Sequence, residues 1–155
     1  MTVNVHNTRD IDVLAGALID LMSFFASPQR DDALLREARI DLDRALFPLL
    51  VRLGMTGSLA VGDLAEQVGR DHSTVSRQLA KLASLGLVTR DKDSDRRRNA
   101  ARLTIAGEQV VASIAGARRR LLQHALAEWK AGDVIALADL NQRFANTLSA
   151  FARQR

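Results

Sequence analysis

The sequence predicts a mainly α-helical protein carrying a small β-wing, and three observations lead there. Val75, Leu79, Leu82 and Leu85 fall four, three and three residues apart, one face of a helix, and Gly86 follows them. Two short β-type runs, Leu87–Thr89 and Ala101–Leu103, then flank RDKDSDRRRN, which is too polar to be core. Long apolar stripes at helical spacing occupy both ends of the chain.

Taken in order, residues 9–26 read as a helix with Ile11, Leu14, Leu18, Leu21, Met22 and Phe25 on one stripe, ended by Ser27-Pro28. Asp31 to Ile40 is a charged helical stretch whose apolar positions are Leu34, Leu35 and Ala38. Leu42 to Leu53 reads as a further helix, but Pro48 lies inside it. A proline there removes a hydrogen bond and clashes with the preceding turn, so the spacing predicts either a kink or a helix that begins near Pro48. Gly54 to Gly57 is expected to turn, and Ser58 to Ala60 to form a short strand pairing with the wing. Val61 to Val68 reads as a helix with Leu64, Ala65 and Val68 inward, and Gly69-Arg70 as the turn into the next one.

Asp71 can cap that next helix by accepting from an orphan backbone N–H. Gly86 suits its left-handed end. After the wing, Thr104 is a plausible N-cap for a helix from Ile105 to Leu126, with Val110, Val111, Ile114, Ala117 or Arg118, Leu121 and Leu122 at helical spacing. Trp129 to Gly132 make a break. Val134 to Phe151 form the last helix, its stripe being Val134, Leu137, Leu140, Phe144, Leu148 and Phe151.

With 155 residues and 47% hydrophobic content, the chain can form one domain with a real core. No apolar run reaches the length of a membrane span, and MTVNVHNTRDIDV lacks the basic start and apolar run of a signal peptide. These features place the protein in the cytoplasm, with no membrane partner. The absence of cysteine excludes disulfides, zinc–thiolate sites and thiol-based sensing. His6, His72 and His124 show no metal-ligand spacing, and no nucleophile–base pair or phosphate loop is visible. The expectation is neither an enzyme nor a protein with a cofactor.

Net charge is +4, and it is unevenly spread. Residues 1–69 hold 6 basic and 10 acidic groups, residues 70–102 hold 9 and 4, and residues 103–155 hold 7 and 4. The basic concentration over the helix and wing is the footprint of a DNA-binding face. On the helix itself, Ser73, Arg77, Ala80 and Ser84 point away from the apolar stripe, flanked by Ser76 and Lys81. Small, hydroxyl and basic side chains suit entry into a major groove, where arginine can fork onto guanine; a plain solvated face has the same composition. The arginine run at the tip is open to the same two readings. Arg96 and Arg97 could reach phosphates or a narrow minor groove. Asp95 beside them suits an orienting role, since a carboxylate near phosphate is repelled.

The stretches VGDLAEQVGRDHSTVSRQLAKLASLGLVTR and DRRRNAARLTIAGE resemble the winged helix-turn-helix core of the MarR family of bacterial transcription regulators. That family's wing pattern stands here as Asp95, Arg96, Arg97, Leu103, Thr104 and Gly107, and the motifs cover about residues 42–108. One departure is Ala60, where the family usually places a capping Ser or Thr; Asp63 in the first turn partly compensates. The resemblance implies a single domain over 1–155. Its dimerisation lobe would take about 9–40 and 105–153, and its DNA-binding lobe about 42–104. It also implies a two-fold symmetric homodimer, a repressor that reads a pseudo-palindromic operator in double-stranded DNA, and a small aromatic or anionic effector.

On that reading Ser73, Thr74, Ser76 and Arg77 would enter the major groove and Lys81 would touch phosphate. Arg96 and Arg97 would hold the flanking minor groove, with Asp95 orienting the tip. Met22, Phe25 and Phe47 could line an effector cleft, though each also fits plain core. Arg118, Arg119 and Arg120 suit a solvated face or salt bridges as well as DNA. Two rival functions are a sequence-tolerant DNA-compacting protein and a winged-helix module for protein–protein contact.

Overall fold

The computed structural model describes residues 7–90 and 100–152. Its elements run α1 (Thr8–Phe25), α2 (Pro28–Ala38), α3 (Phe47–Thr56), β1 (Leu59–Ala60), α4 (Val61–Val68), α5 (His72–Ser84), β2 (Val88–Arg90), β3 (Ala100–Leu103), α6 (Ile105–Ala125) and α7 (Ala131–Ala152). The chain divides into two units, Met1–Ala117 and Arg118–Arg155, and the division falls inside α6.

The first unit holds a winged helix-turn-helix. α4 and α5 are joined by Gly69, whose φ of 65° terminates α4 with a left-handed residue. β3 lies between β1 and β2 in a three-stranded antiparallel sheet, with Leu59 opposite Ala101 and Val88 opposite Leu103. The expected strand near Ser58–Ala60 thus exists and pairs with the wing. Leu49, Leu50, Leu64, Val75, Leu79 and Leu82 are wholly buried and close one core against Val88 and Ala101.

Several sequence expectations need correction. The helix expected from Leu42 begins at Phe47, so Pro48 sits in the first turn, where its missing N–H has no helical partner to lose. Residues 43–46 form a turn instead, held by the Ala45 N–H donating to Asp43 Oδ1 at 2.8 Å. Gly54 is not a turn residue: α3 continues to Thr56 and stops at Gly57, with φ of 83°. A Cβ on Gly54 would lie 2.7 Å from Val111 Cγ1, so glycine serves the close approach of α6. Leu85 is 48% exposed rather than part of the α5 stripe, because the chain leaves the helix at Gly86. Leu87 packs on the core in its place, its N–H donating to Leu82 O at 3.0 Å. α7 begins at Ala131, inside the break expected at Trp129 to Gly132.

Gly107 explains the last glycine of the wing pattern. It is buried in the first turn of α6, and a Cβ there would collide with the Leu87 carbonyl oxygen. That carbonyl already accepts the Thr104 N–H at 3.0 Å, so it cannot retreat cheaply. At the ends of the chain the stripes are largely exposed, with Leu18, Val134 and Phe144 half-buried. Neither α1 nor α7 contains a buried residue. In α1, Ile11, Leu14, Leu21, Met22 and Phe25 all face outward. In α7, Leu137, Leu140, Leu148 and Phe151 do the same. Among the described residues no single helix is long and apolar enough to cross a membrane.

Candidate nucleic-acid interface

α5 begins at Asp71. Its Oδ1 accepts the Thr74 N–H at 2.8 Å and the Ser73 hydroxyl at 2.6 Å, and its Oδ2 accepts the Thr74 hydroxyl at 2.6 Å. The Ser73 hydroxyl, then the Thr74 hydroxyl and N–H, hold the Asp71 carboxyl well below the usual carboxylate range. From this cap the helix turns Val75, Leu79 and Leu82 into the core. The far side exposes Ser73, Arg77, Ala80, Lys81 and Ser84, as the helical spacing predicts. Arg77 Nη2 donates to Thr74 Oγ1 at 3.4 Å, so Asp71, Thr74 and Arg77 form a chain along the exposed surface.

Thr74 and Ser76 are half-buried at the flanks. Ser76 faces the wing rather than the open surface: its carbonyl oxygen accepts Arg90 Nη2 at 2.9 Å, with its Oγ 3.4 Å from the same nitrogen. Arg70, in the turn before α5, is another fastener. Its Nη1 donates to Ala45 O at 2.6 Å and to Gln78 Oε1 at 2.8 Å, tying the turn ahead of α3 to α5. Neither arginine was singled out from the sequence. The available signal was their place, one directly before the α5 cap and one ending a strand that otherwise packs on the core. Asp95, Arg96 and Arg97 lie outside the described residues.

Of the three residues assigned to an effector cleft, Phe47 is buried against Leu35 and Ile114 in a second small core. It also borders an open depression of about 300 Å³ with Phe25, Asp31, Pro48, Val51, Arg52, Met55, Gln67 and Val68. Met22 is 70% exposed and does not line it. Among the described residues no three His, Asp or Glu side chains are grouped to hold a metal ion.

A capped helix with a small, hydroxyl-rich and basic outer face, followed by a β-wing, defines a DNA-binding winged helix-turn-helix regulator. Residues 42–99 match the model of the MarR family. The HTH-type transcriptional regulator YxaD of Bacillus subtilis (strain 168) is 33% identical over 104 residues, 66% of this chain and 73% of that protein. The structure of a MarR family protein from Bacillus stearothermophilus shares the fold with a TM-score of 0.78 and 21% identity, over 94% of this chain and 99% of that one. NadR in complex with 4-hydroxyphenylacetate aligns with a TM-score of 0.56 and 25% identity, over 94% of this chain and 97% of that one. The chain belongs to the MarR family: it is a DNA-binding transcriptional regulator and not an enzyme.

Proposed function

We propose that this regulator is a homodimeric repressor that occupies a pseudo-palindromic operator and acts in the cytoplasm. The observation that carries this reading is the two-sided α5, with Val75, Leu79 and Leu82 fully buried and Ser73, Arg77 and Lys81 exposed on the opposite side. Ser73, Thr74 and Arg77 enter the major groove, Ser76 lines its edge, and Lys81 meets phosphate. Arg96 and Arg97 enter the flanking minor groove with Asp95 orienting them. The exposed stripes of α1 and α7 meet those of a second copy, which sets two recognition helices about 34–36 Å apart on successive major grooves. The domain is thus read as one functional unit, with terminal regions 9–40 and 105–153 serving dimerisation and 42–104 serving DNA.

Binding selection on random and genomic fragments, followed by salt titration of the enriched duplexes, tests this. A two-fold symmetric motif, bound about 10³-fold or more above random DNA, is the expected result. Equal binding to all sequences would instead mark a DNA-compacting protein. Arg77→Ala is expected to cost about 1–3 kcal/mol and relax preference at one base pair per half-site. Arg96→Ala should flatten the salt dependence by about one phosphate per subunit.

The depression beside Phe47 supports effector control. Phe25 and Phe47 offer aromatic faces and Arg52 a cation, which suits a small aromatic carboxylate. NadR's complex with 4-hydroxyphenylacetate supports the same ligand chemistry. Thermal shift with 4-hydroxyphenylacetate, on wild type and Arg52→Ala, tests it: a stabilisation lost in the variant is expected, and no shift in wild type refutes this ligand.

A further inference from the structure

Arg90 is the last residue of β2, and residues 91–99 follow it directly. Its strand partner Ala101 is fully buried, so the sheet register sets where the Arg90 backbone stands. From there the side chain reaches 14 residues back along the chain to α5. Nη2 donates to the Ser76 carbonyl at 2.9 Å. That oxygen lies within a helix, where the N–H four residues on is its ordinary donor, so the guanidinium adds a second. Among the described residues, the buried Arg90 Nε has no hydrogen-bond partner. An arginine serving only solubility would turn these N–H groups to water; here one is left unsatisfied, which is costly.

Ser76 stands between Val75, which is in the core, and Arg77, which is exposed. The Arg90 bond therefore acts in the half of α5 that carries Ser73, Thr74 and Arg77. A second tie holds the other end of the helix. Thr104 Oγ1 donates to Gly86 O at 2.6 Å and accepts the Gly107 N–H at 3.1 Å. The α5 exit is thus fixed by Thr104, and the groove-facing half is fixed by Arg90.

We propose that Arg90 is a positioning residue for base discrimination, holding the groove-facing half of α5 at a set angle to the sheet through the Ser76 carbonyl. This rests on the reading of α5 as the recognition helix and deepens it. Base-edge hydrogen bonds are narrow in distance and angle, whereas phosphate contacts tolerate small displacements. Loosening α5 therefore weakens binding to the preferred sequence far more than binding to random DNA. Ser76 belongs to this clasp and contributes to recognition through its main chain.

The test compares full-length wild type, Arg90→Met, Arg90→Lys and Arg77→Ala on two labelled duplexes, one enriched by selection and one of random sequence. Methionine keeps the apolar stem and removes the donors. In Arg90→Met the preference for the selected duplex should fall by about tenfold or more, while affinity for random DNA changes little. An equal loss on both duplexes with a shallower salt slope would make Arg90 a phosphate contact and overturn the proposal. An unchanged preference would overturn it as well. Circular dichroism and melting check the fold. Should the methionine variant not fold, Arg90→Lys keeps the charge on a shorter arm; a reduced preference supports positioning, and full wild-type preference overturns it. The underlying reading fails separately: if Arg77→Ala leaves affinity and preference untouched, α5 is not the reading helix.

Discussion

At the scale of single residues, Asp71 does two jobs with one carboxylate. It caps α5, and it orders the two hydroxyls nearest the proposed groove contact. Because its folded pKa is depressed, its contribution to stability is present above the unfolded value of about 3.9 and is lost as pH falls toward the folded one. Asp71→Asn should thus lower the melting temperature at pH 7 and narrow its gap to wild type at pH 3. A gap that is the same at both pH values would show that the charge is not what stabilises the cap. Gly107 is limited by space. Gly107→Ala should destabilise the fold by about 1–3 kcal/mol in urea unfolding, since the new methyl must displace either the Leu87 carbonyl or the start of α6. Asp71 as a cap was legible from its side chain and place alone. The reason for Gly107 was not, because the carbonyl it accommodates lies 20 residues earlier in the chain.

Among the elements, α4 starts without a side-chain cap, as do α2 and α3. Ala60 occupies the N-cap with an extended backbone, ψ 148°, and offers no side-chain acceptor. Ala60→Ser should add about 0.5–1 kcal/mol to stability, seen as a higher urea midpoint with an unchanged slope. An unchanged midpoint would mean that β1 pairing, rather than capping, limits this helix start. α3 and α5 show what helical spacing can and cannot decide. Spacing placed Val75, Leu79 and Leu82 inward correctly. It failed at Leu85, because periodicity ends where the chain takes a left-handed turn at Gly86. At Pro48 it left two options, and the helix begins near the proline because a first-turn position costs it nothing.

For the molecule as a whole, α1 and α7 each expose large apolar side chains and neither contains a buried residue. Leu140 is 58% exposed and Phe151 56%. Monomeric proteins rarely leave contiguous apolar stretches of this kind open. A homodimer that covers them should sediment as a single species at micromolar concentration. Leu140→Arg should weaken the dimer by about tenfold or more, through a charge placed in an apolar interface, and should weaken operator binding with it. A wild-type protein that sediments as a monomer at all accessible concentrations would remove the two-fold model of DNA reading.

The helix-and-wing order, the inward face of α5, the Asp71 cap and the basic concentration around the wing were legible along the chain. These depend on periodicity, local capping and charge, all of which act within a few residues. The burial of Phe47, the room that Gly54 and Gly107 make for α6 and Leu87, and the grip of Arg90 on Ser76 emerge in the folded chain alone. Each depends on which distant segments meet, and close packing and buried donors acquire their cost only when that meeting is made.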